Sequence, residues 1–172
     1  NEIPGAALAV AKDGRLVYAR GFGYANRKRK EPVRPDSLFR IASISKPLTA
    51  VATLQLIEQG KLKLNDRVFK LLPHRAHLPQ DGKVDPRLNQ ITLAHLMRHQ
   101  GGWDRGKAID PMFHSIEIAT ALGKRPPANP DDIIRFMKGW PLDFDPGTRY
   151  AYSNLGYCLL GRVIEQTAGK NY

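Results

Sequence analysis

Residues 39–50 read FRIASISKPLTA, and the apolar pattern that starts in this segment continues to Ile57. From Ser43 onward the apolar side chains fall on most of the circumference of a helix. This predicts a central rather than a peripheral helix over residues 43–60, where a glycine ends it. Because proline fits the first turn of a helix and disrupts later turns, Pro47 requires the helix to begin close to Ser43.

Ser43 and Lys46 place a hydroxyl and an amine three residues apart at the start of this helix. Positions i and i+3 share a helix face, so the amine could reach the hydroxyl and take its proton during nucleophilic attack. The N-terminus of a helix also favours developing negative charge. The alternative is a serine cap followed by a surface lysine, and chance supplies roughly one such spacing in a chain of this length.

Upstream, apolar runs over residues 5–11 and 16–24 flank Asp13-Gly14. This dipeptide favours the two-residue turn of a β-hairpin, and the first run predicts a buried strand. The dense basic run RKRK, residues 27–30, follows the hairpin and predicts an exposed turn.

Downstream, three polar caps (Thr, Asn or Ser) each precede apolar residues at helical spacing. They predict helices over residues 93–99, from residue 129 and over residues 153–169. The stretches between them, residues 66–90 and 101–128, predict long irregular loops, and loops of this length are usually functional or shaped around a site.

Tyr152 and Asn154 lie just before and at the start of the last helix. A tyrosine whose pKa is lowered by a nearby cation can act as a general base, and an asparagine can donate a hydrogen bond to a bound carbonyl. The alternative is an aromatic packing contact followed by a helix cap.

Four segments together resemble the serine β-lactamase and penicillin-binding protein superfamily, in particular its class C, D-alanyl-D-alanine carboxypeptidase and β-lactamase-like esterase branches. Residues 39–50 are similar to the nucleophile segment, and residues 146–157, PGTRYAYSNLGY, to the second motif in its Tyr-x-Asn form. Residues 91–102, ITLAHLMRHQGG, are similar to the helix and turn between these motifs, and residues 3–7 also fit. The motifs are specific in combination.

The resemblance implies a role for each candidate residue. Ser43 is expected to be the nucleophile that forms an acyl-enzyme, and its backbone N–H to supply half of an oxyanion hole. Lys46 is expected to assist deprotonation, Tyr152 to act as base and proton shuttle, and Asn154 to orient the substrate. The implied substrate is a small-molecule ester, amide or β-lactam, with ester or peptide hydrolysis favoured over dedicated resistance, and no cofactor or metal is implied.

The family also carries a third motif, Lys or His followed by a small residue and Gly, on a strand after the second motif. No such strand follows Tyr152 in this sequence, and the triplet HQG at residues 99–101 precedes Tyr152, so we do not assign it this role. We therefore expect residues 1–172 to be an incomplete domain that is trimmed at its N-terminus and lacks a complete active site. Its remainder is expected after Tyr172 or in another chain. A non-catalytic protein that binds peptide or cell-wall fragments is the alternative.

The resemblance implies an α+β fold of the β-lactamase/transpeptidase type, with an antiparallel sheet, packed helices and a mainly helical region. We expect this chain to hold the first hairpin and the helices, with the later strands missing. The hairpin is assigned to residues 1–30, the nucleophile helix to 43–60, the mainly helical and loop region to 66–150 and a further helix to 153–169.

Composition and charge exclude several classes of protein. Hydrophobic residues at 42% and charged residues at 25% exclude wholesale disorder. No apolar run approaches the roughly 18 residues that a membrane-spanning helix needs. Lys+Arg 27 and Asp+Glu 16 give a net charge of +11, but the basic residues outside residues 27–30 are scattered among acids, so we expect no nucleic-acid partner.

The histidines and the cysteine carry less weight. His95 and His99 have the i, i+4 spacing of zinc ligands but no third ligand, so a structural role is favoured. Cys158 excludes an internal disulfide and is interpreted as a packed thiol. Trp103 either lines a pocket mouth or packs on the core. The residues leave the compartment open, and the resemblance favours an extracytoplasmic or periplasmic location.

Overall fold

The computed structural model describes residues 3–79 and 82–172, which divide into two compact units with the boundary between Ala42 and Ser43. The first unit contains a three-stranded antiparallel sheet. The second contains α-helices joined by loops and short 3₁₀ turns. The predicted α+β class is therefore confirmed.

The sheet is built on the predicted hairpin, in which β1 (Gly5–Lys12) pairs antiparallel with β2 (Arg15–Asn26). Asp13 and Gly14 between them adopt φ angles of 49° and 73°, the left-handed values that a two-residue hairpin turn requires. The basic run that follows is an exposed turn, as predicted. β3 (Glu31–Pro32) then pairs with β2 and was not predicted, since two residues are too few to show an alternating pattern.

The prediction that the first strand is buried is wrong. Seven of the eight residues of β1 are exposed, and Leu8 and Val10 are 50% and 43% exposed. The described part of the first unit, residues 3–42, contains no α-helix. Its sheet therefore has no second layer within the unit against which to bury these apolar side chains.

The described part of the second unit contains six α-helices. They are α1 (Ser45–Glu58), α2 (Val68–Leu71), α3 (Leu93–Met97), α4 (Ser115–Ala121), α5 (Pro130–Met137) and α6 (Asn154–Ala168). Three 3₁₀ turns cover Ala42–Ile44, Pro86–Gln90 and Pro111–Phe113.

The three helix starts predicted from polar caps are confirmed in α3, α5 and α6. The side chains of Thr92, Asn129 and Ser153 each accept a hydrogen bond, at 2.9–3.2 Å, from the backbone N–H three residues later. Gly169 ends α6 with φ of 64°, a left-handed conformation that glycine adopts without steric cost. α3 ends at Met97, two residues before its predicted end.

The central helix of the second unit is α6 rather than α1. Seven of the fifteen residues of α6 are buried, and α6 packs against α1, α2, α3 and α5. Only three of the fourteen residues of α1 are buried, whereas Leu48, Val51 and Leu54 are 46–64% exposed. Within the described chain α1 is therefore more exposed than α6, and a central position for the helix over residues 43–60 stays a prediction. The apolar pattern shows that these side chains can be buried, but not what packs on them.

The two stretches predicted as irregular loops contain short helices. Residues 66–90 include α2 and a 3₁₀ turn, and residues 101–128 include α4 and another 3₁₀ turn. Elements of four to seven residues complete at most about two turns, so they leave no apolar periodicity for sequence reasoning to detect.

Candidate active site

Ser43 lies at the entrance to α1, within the 3₁₀ turn Ala42–Ile44. The α-helix begins two residues later than predicted, and Pro47 occupies its third position, where an N–H would have no helical partner. Ala42 has a φ of 44°, a left-handed conformation that costs a residue with a Cβ about 1 kcal/mol. Backbone strain of this kind clusters at functional sites.

The Ser43 hydroxyl lies between two polar groups. Its Oγ is 2.6 Å from Tyr152 Oη and accepts a hydrogen bond from Lys46 Nζ at 3.1 Å. Lys46 Nζ also donates to Asn154 Oδ1 at 2.6 Å. Ser43 is exposed, whereas the other three residues are half-buried. The structure thus brings together the four residues predicted from sequence, with the exposed Ser43 at their centre.

His99 fixes the segment that carries Tyr152. The Ala151 N–H donates to the His99 carbonyl at 2.8 Å, and the Ser153 N–H donates to His99 Nδ1 at 3.1 Å. The imidazole stacks on the Tyr152 ring, with 4.6 Å between the ring centroids. Asn154 follows as the first residue of α6, so the segment is held on both sides of the tyrosine.

The electrostatic surroundings favour the ionised form of Tyr152. Hydrogen bonding to Lys46 is the largest cause that lowers the pKa of this phenol, and the bond to Ser43 is the next. Burial opposes these hydrogen bonds, and the positive charges of Lys46 and Arg105 lower the pKa further, each by less than burial raises it. These contacts increase the fraction of Tyr152 that can accept a proton near neutral pH.

The surroundings of His99 favour its neutral form. Burial lowers the pKa of His99, and the positive charge of Lys46 lowers it further. A neutral imidazole can accept a hydrogen bond at Nδ1, which agrees with the observed bond from the Ser153 N–H. His99 therefore supports Tyr152, in keeping with the structural role predicted for it.

Sequence reasoning did not identify Arg105 and Asp110, which also contact the site. The Arg105 guanidinium carbon lies 4.6 Å from the centroid of the Tyr152 ring. Asp110 Oδ2 accepts a hydrogen bond from Asn154 Nδ2 at 2.7 Å. Both residues belong to the stretch of residues 101–128, and the length of that stretch was the only signal in the sequence that pointed to them.

The other sequence candidates lie in structural roles. His95 exchanges hydrogen bonds with Thr92 in a reciprocal cap at the start of α3. Trp103 is buried in the core of the second unit. Burial raises the pKa of Cys158 to about 11, as expected for a packed thiol.

The described residues show no metal cluster and no membrane span. Within residues 3–79 and 82–172, no group of three or more His, Cys, Asp or Glu side chains is arranged to hold a metal ion. None of the helices in this part of the chain is both long and apolar enough to cross a membrane.

Two curated relatives resemble this chain over nearly all of its length. The putative fimbrial assembly protein FimD, serogroup D, of Dichelobacter nodosus is 34% identical over 165 residues, which cover 96% of this chain and 38% of FimD. Esterase EstB of Burkholderia gladioli is 33% identical over 168 residues, which cover 96% of this chain and 41% of EstB. The chain thus spans about two fifths of the length of these relatives.

A solved structure and a family comparison agree with these relatives. The octameric penicillin-binding protein homologue from Pyrococcus abyssi superposes with a TM-score of 0.75 at 34% identity, covering 99% of this chain and 36% of the homologue. The Beta-lactamase family matches residues 1–172. The chain therefore has the β-lactamase/transpeptidase fold and belongs to the β-lactamase family.

Proposed function

We propose that the full-length protein is a serine hydrolase that works through an acyl-enzyme on Ser43. The observation that carries the proposal is the position of Ser43 Oγ, 2.6 Å from Tyr152 Oη and 3.1 Å from Lys46 Nζ. Covalent catalysis generally uses a nucleophile that is hydrogen-bonded to a base, and a third group orients that base. The family match and the esterase among the relatives support this reaction class.

In the first step, the ionised Tyr152 accepts the Ser43 proton while Oγ attacks the carbonyl carbon of the substrate. A C–O bond forms, and the carbonyl π electrons move to the oxygen. Lys46 stabilises the phenolate before this transfer, since it is the largest cause of the low Tyr152 pKa. The negative oxygen develops near the start of α1, where no side chain caps the free N–H groups of the first turn.

In the second step, the tetrahedral intermediate collapses and expels the alcohol or amine, which takes the proton from Tyr152. Tyr152 then removes a proton from a water molecule, whose oxygen attacks the carbonyl carbon of the acyl-enzyme. The second tetrahedral intermediate collapses, the bond to Ser43 Oγ breaks, and Oγ takes the proton back from Tyr152 as the acid is released. Asn154 positions the reactants, because its oxygen accepts from Lys46 and only one of its two amide hydrogens is used by Asp110. The other hydrogen is available to a substrate carbonyl.

We favour esters and small amides over β-lactams as substrates, because membership of a family does not fix the substrate and one relative is an esterase. A panel of p-nitrophenyl esters and nitrocefin, assayed with the full-length protein, separates these classes. We expect turnover of at least one ester to exceed that of nitrocefin, and the opposite order would assign the protein to β-lactam hydrolysis.

The nucleophile is tested by labelling the full-length protein with a serine-reactive phosphonate and measuring its intact mass. We expect one adduct in the wild type and none in Ser43→Ala. The matched control is Ser45→Ala, because Ser45 is exposed two residues away and should label normally. Equal labelling of Ser43→Ala contradicts the proposal. Labelling of Ser43 without turnover of any ester supports the non-catalytic binding protein instead.

A further inference from the structure

Two charged residues of the loop after α3 form an ion pair that touches both residues of the second motif. Arg105 Nη1 lies 3.6 Å from Asp110 Oδ2. The guanidinium of Arg105 covers the ring of Tyr152, and Asp110 Oδ2 accepts the hydrogen bond of Asn154. One ion pair therefore reaches the proposed base and the proposed orienting amide at the same time.

Asp110 is held in place independently of Asn154. Its side chain is only 12% exposed, and its Oδ1 accepts a hydrogen bond from the Met112 N–H at 3.3 Å, at the start of the 3₁₀ turn Pro111–Phe113. A carboxylate this well buried requires hydrogen-bond partners, since an unpaired buried charge is costly. Asp110 is thus a fixed acceptor against which a neighbouring amide can be oriented.

The contact with Asp110 determines which way the Asn154 amide faces. With Nδ2 bound to the carboxylate, Oδ1 points to Lys46 and accepts its hydrogen bond at 2.6 Å. A rotated amide would direct its NH₂ group at the Lys46 amine and its oxygen at the carboxylate, which places donor against donor and acceptor against acceptor. Asp110 therefore also orients Lys46, which donates to Ser43.

Arg105 acts on the other residue of the motif. Charged and titratable groups face Tyr152 from several elements: Lys46 of α1, Arg105 of the loop, the neutral His99 after α3, and Tyr157 of α6. Lys46 Nζ and the Arg105 guanidinium lie 4.8 Å and 4.6 Å from the Tyr152 ring centroid. Two cations thus contact this ring. Lys46 also donates a hydrogen bond to Ser43, whereas Arg105 contacts the ring without a hydrogen bond to Ser43.

We infer that Arg105 and Asp110 are a positioning pair for the Ser43 site, in which Asp110 sets the orientation of Asn154 and Arg105 holds Tyr152 and supplies a second positive charge beside it. This inference rests on the proposed function. It means that the loop after α3 helps to position the two residues of the second motif, Tyr152 and Asn154.

The test uses the full-length protein and variants of each residue. Arg105→Ala should move the rising limb of the pH profile of kcat/KM to higher pH, because loss of the cation raises the pKa of Tyr152, and Arg105→Lys should restore most of the wild-type profile.

Asp110→Ala should lower kcat about 10- to 100-fold by misplacing Asn154 and Lys46. Asp110→Asn, which keeps an acceptor oxygen, should lower kcat less. The matched control is Arg149→Ala, since Arg149 pairs with Asp104 at 3.0 Å and stacks on Phe144.

A second readout does not depend on activity. With ¹³C-labelled tyrosine, the NMR signal that disappears in Tyr152→Phe reports the titration of Tyr152 directly. We expect this titration to move to higher pH in Arg105→Ala and to stay unchanged in Arg149→Ala. Coincident titrations and pH profiles in wild type and Arg105→Ala, together with a normal kcat in Asp110→Ala, would overturn the inference. If the wild type fails to react at Ser43, the proposed function fails, while the Tyr152 titration still decides whether Arg105 acts on this residue.

Discussion

At the scale of single residues, the four residues of the candidate site differ in their exposure to solvent. Ser43, the proposed nucleophile, is exposed, whereas Lys46, Tyr152 and Asn154 are half-buried. The hydrogen bonds of Tyr152 with Lys46 and Ser43 are the two largest causes that lower the pKa of this phenol.

Replacement of Tyr152 by phenylalanine should remove the proposed base and leave the ring. The ring contacts with His99 and Arg105 persist, while the hydroxyl 2.6 Å from Ser43 Oγ is lost. We expect kcat for an ester to fall about 10²- to 10⁴-fold with little change in KM, as measured by steady-state kinetics. Tyr150→Phe is the matched control, because Tyr150 is 63% exposed and outside the hydrogen bonds of the site. A Tyr152→Phe variant within about threefold of wild type would exclude Tyr152 as the base.

The sequence predicted only part of this site from the residues themselves. Ser43 and Lys46 are three positions apart, so helix geometry alone places them together. The approach of Tyr152 and Asn154, 109 and 108 residues away from their partners, was expected from the family resemblance and not from spacing. Arg105 could not be predicted, because irregular backbone has no period that relates position in sequence to direction in space.

At the scale of elements, the segment that leads into the second motif is anchored by Asp85 and Arg87. Asp85 accepts hydrogen bonds from Arg87 and from the Leu142 N–H at 3.0 Å. Arg87 also donates to Asp145 at 2.8 Å. These contacts tie the 3₁₀ turn Pro86–Gln90 to residues 142–145, a few residues before Tyr152.

Asp85→Asn should destabilise the protein in a pH-dependent way. Hydrogen bonds from Arg87 are the main cause that lowers the pKa of Asp85 from 3.8 to about 2. The carboxylate therefore contributes about 2 kcal/mol at pH 7, fully present above about pH 4 and lost as the pH falls toward 2. Chemical denaturation of wild type and variant over this range measures the difference in the free energy of unfolding.

The matched control for this prediction is Asp145→Asn. Asp145 contacts the same arginine, but its side chain is 64% exposed, so its loss should cost less than about 1 kcal/mol. A difference between wild type and Asp85→Asn that stays constant from pH 7 down to 2 contradicts the assigned role of the carboxylate.

Local signals predicted elements well where a cap or a turn marks them. The Asp13-Gly14 turn and the caps Thr92, Asn129 and Ser153 act through bonds or dihedral angles within a few residues, so the sequence alone is sufficient to locate them. The short helices α2 and α4 lack a side-chain cap bond and span at most about two turns, which explains why they were missed.

At the scale of the whole chain, the fold class was predicted correctly, but the burial of apolar side chains was not. The apolar residues of β1 and α1 were expected to be internal, and many are exposed in the described structure. An apolar pattern indicates that burial of a surface is favourable. Whether the surface is buried depends on which elements are present to pack against it. The α+β class was expected from the family resemblance, and it depends on the type of element and not on what packs against each element.

The proposed acyl-enzyme on Ser43 is tested by the pre-steady-state reaction of the full-length protein with a p-nitrophenyl ester. Rapid mixing measures the burst of p-nitrophenol, and peptide mapping of the acid-quenched protein locates the acyl group. We predict a burst of about one equivalent per site, with the acyl group on the peptide that contains Ser43 and neither signal in Ser43→Ala. Ester hydrolysis at wild-type rate by Ser43→Ala, or an acyl group on any other residue, would contradict an acyl-enzyme on Ser43.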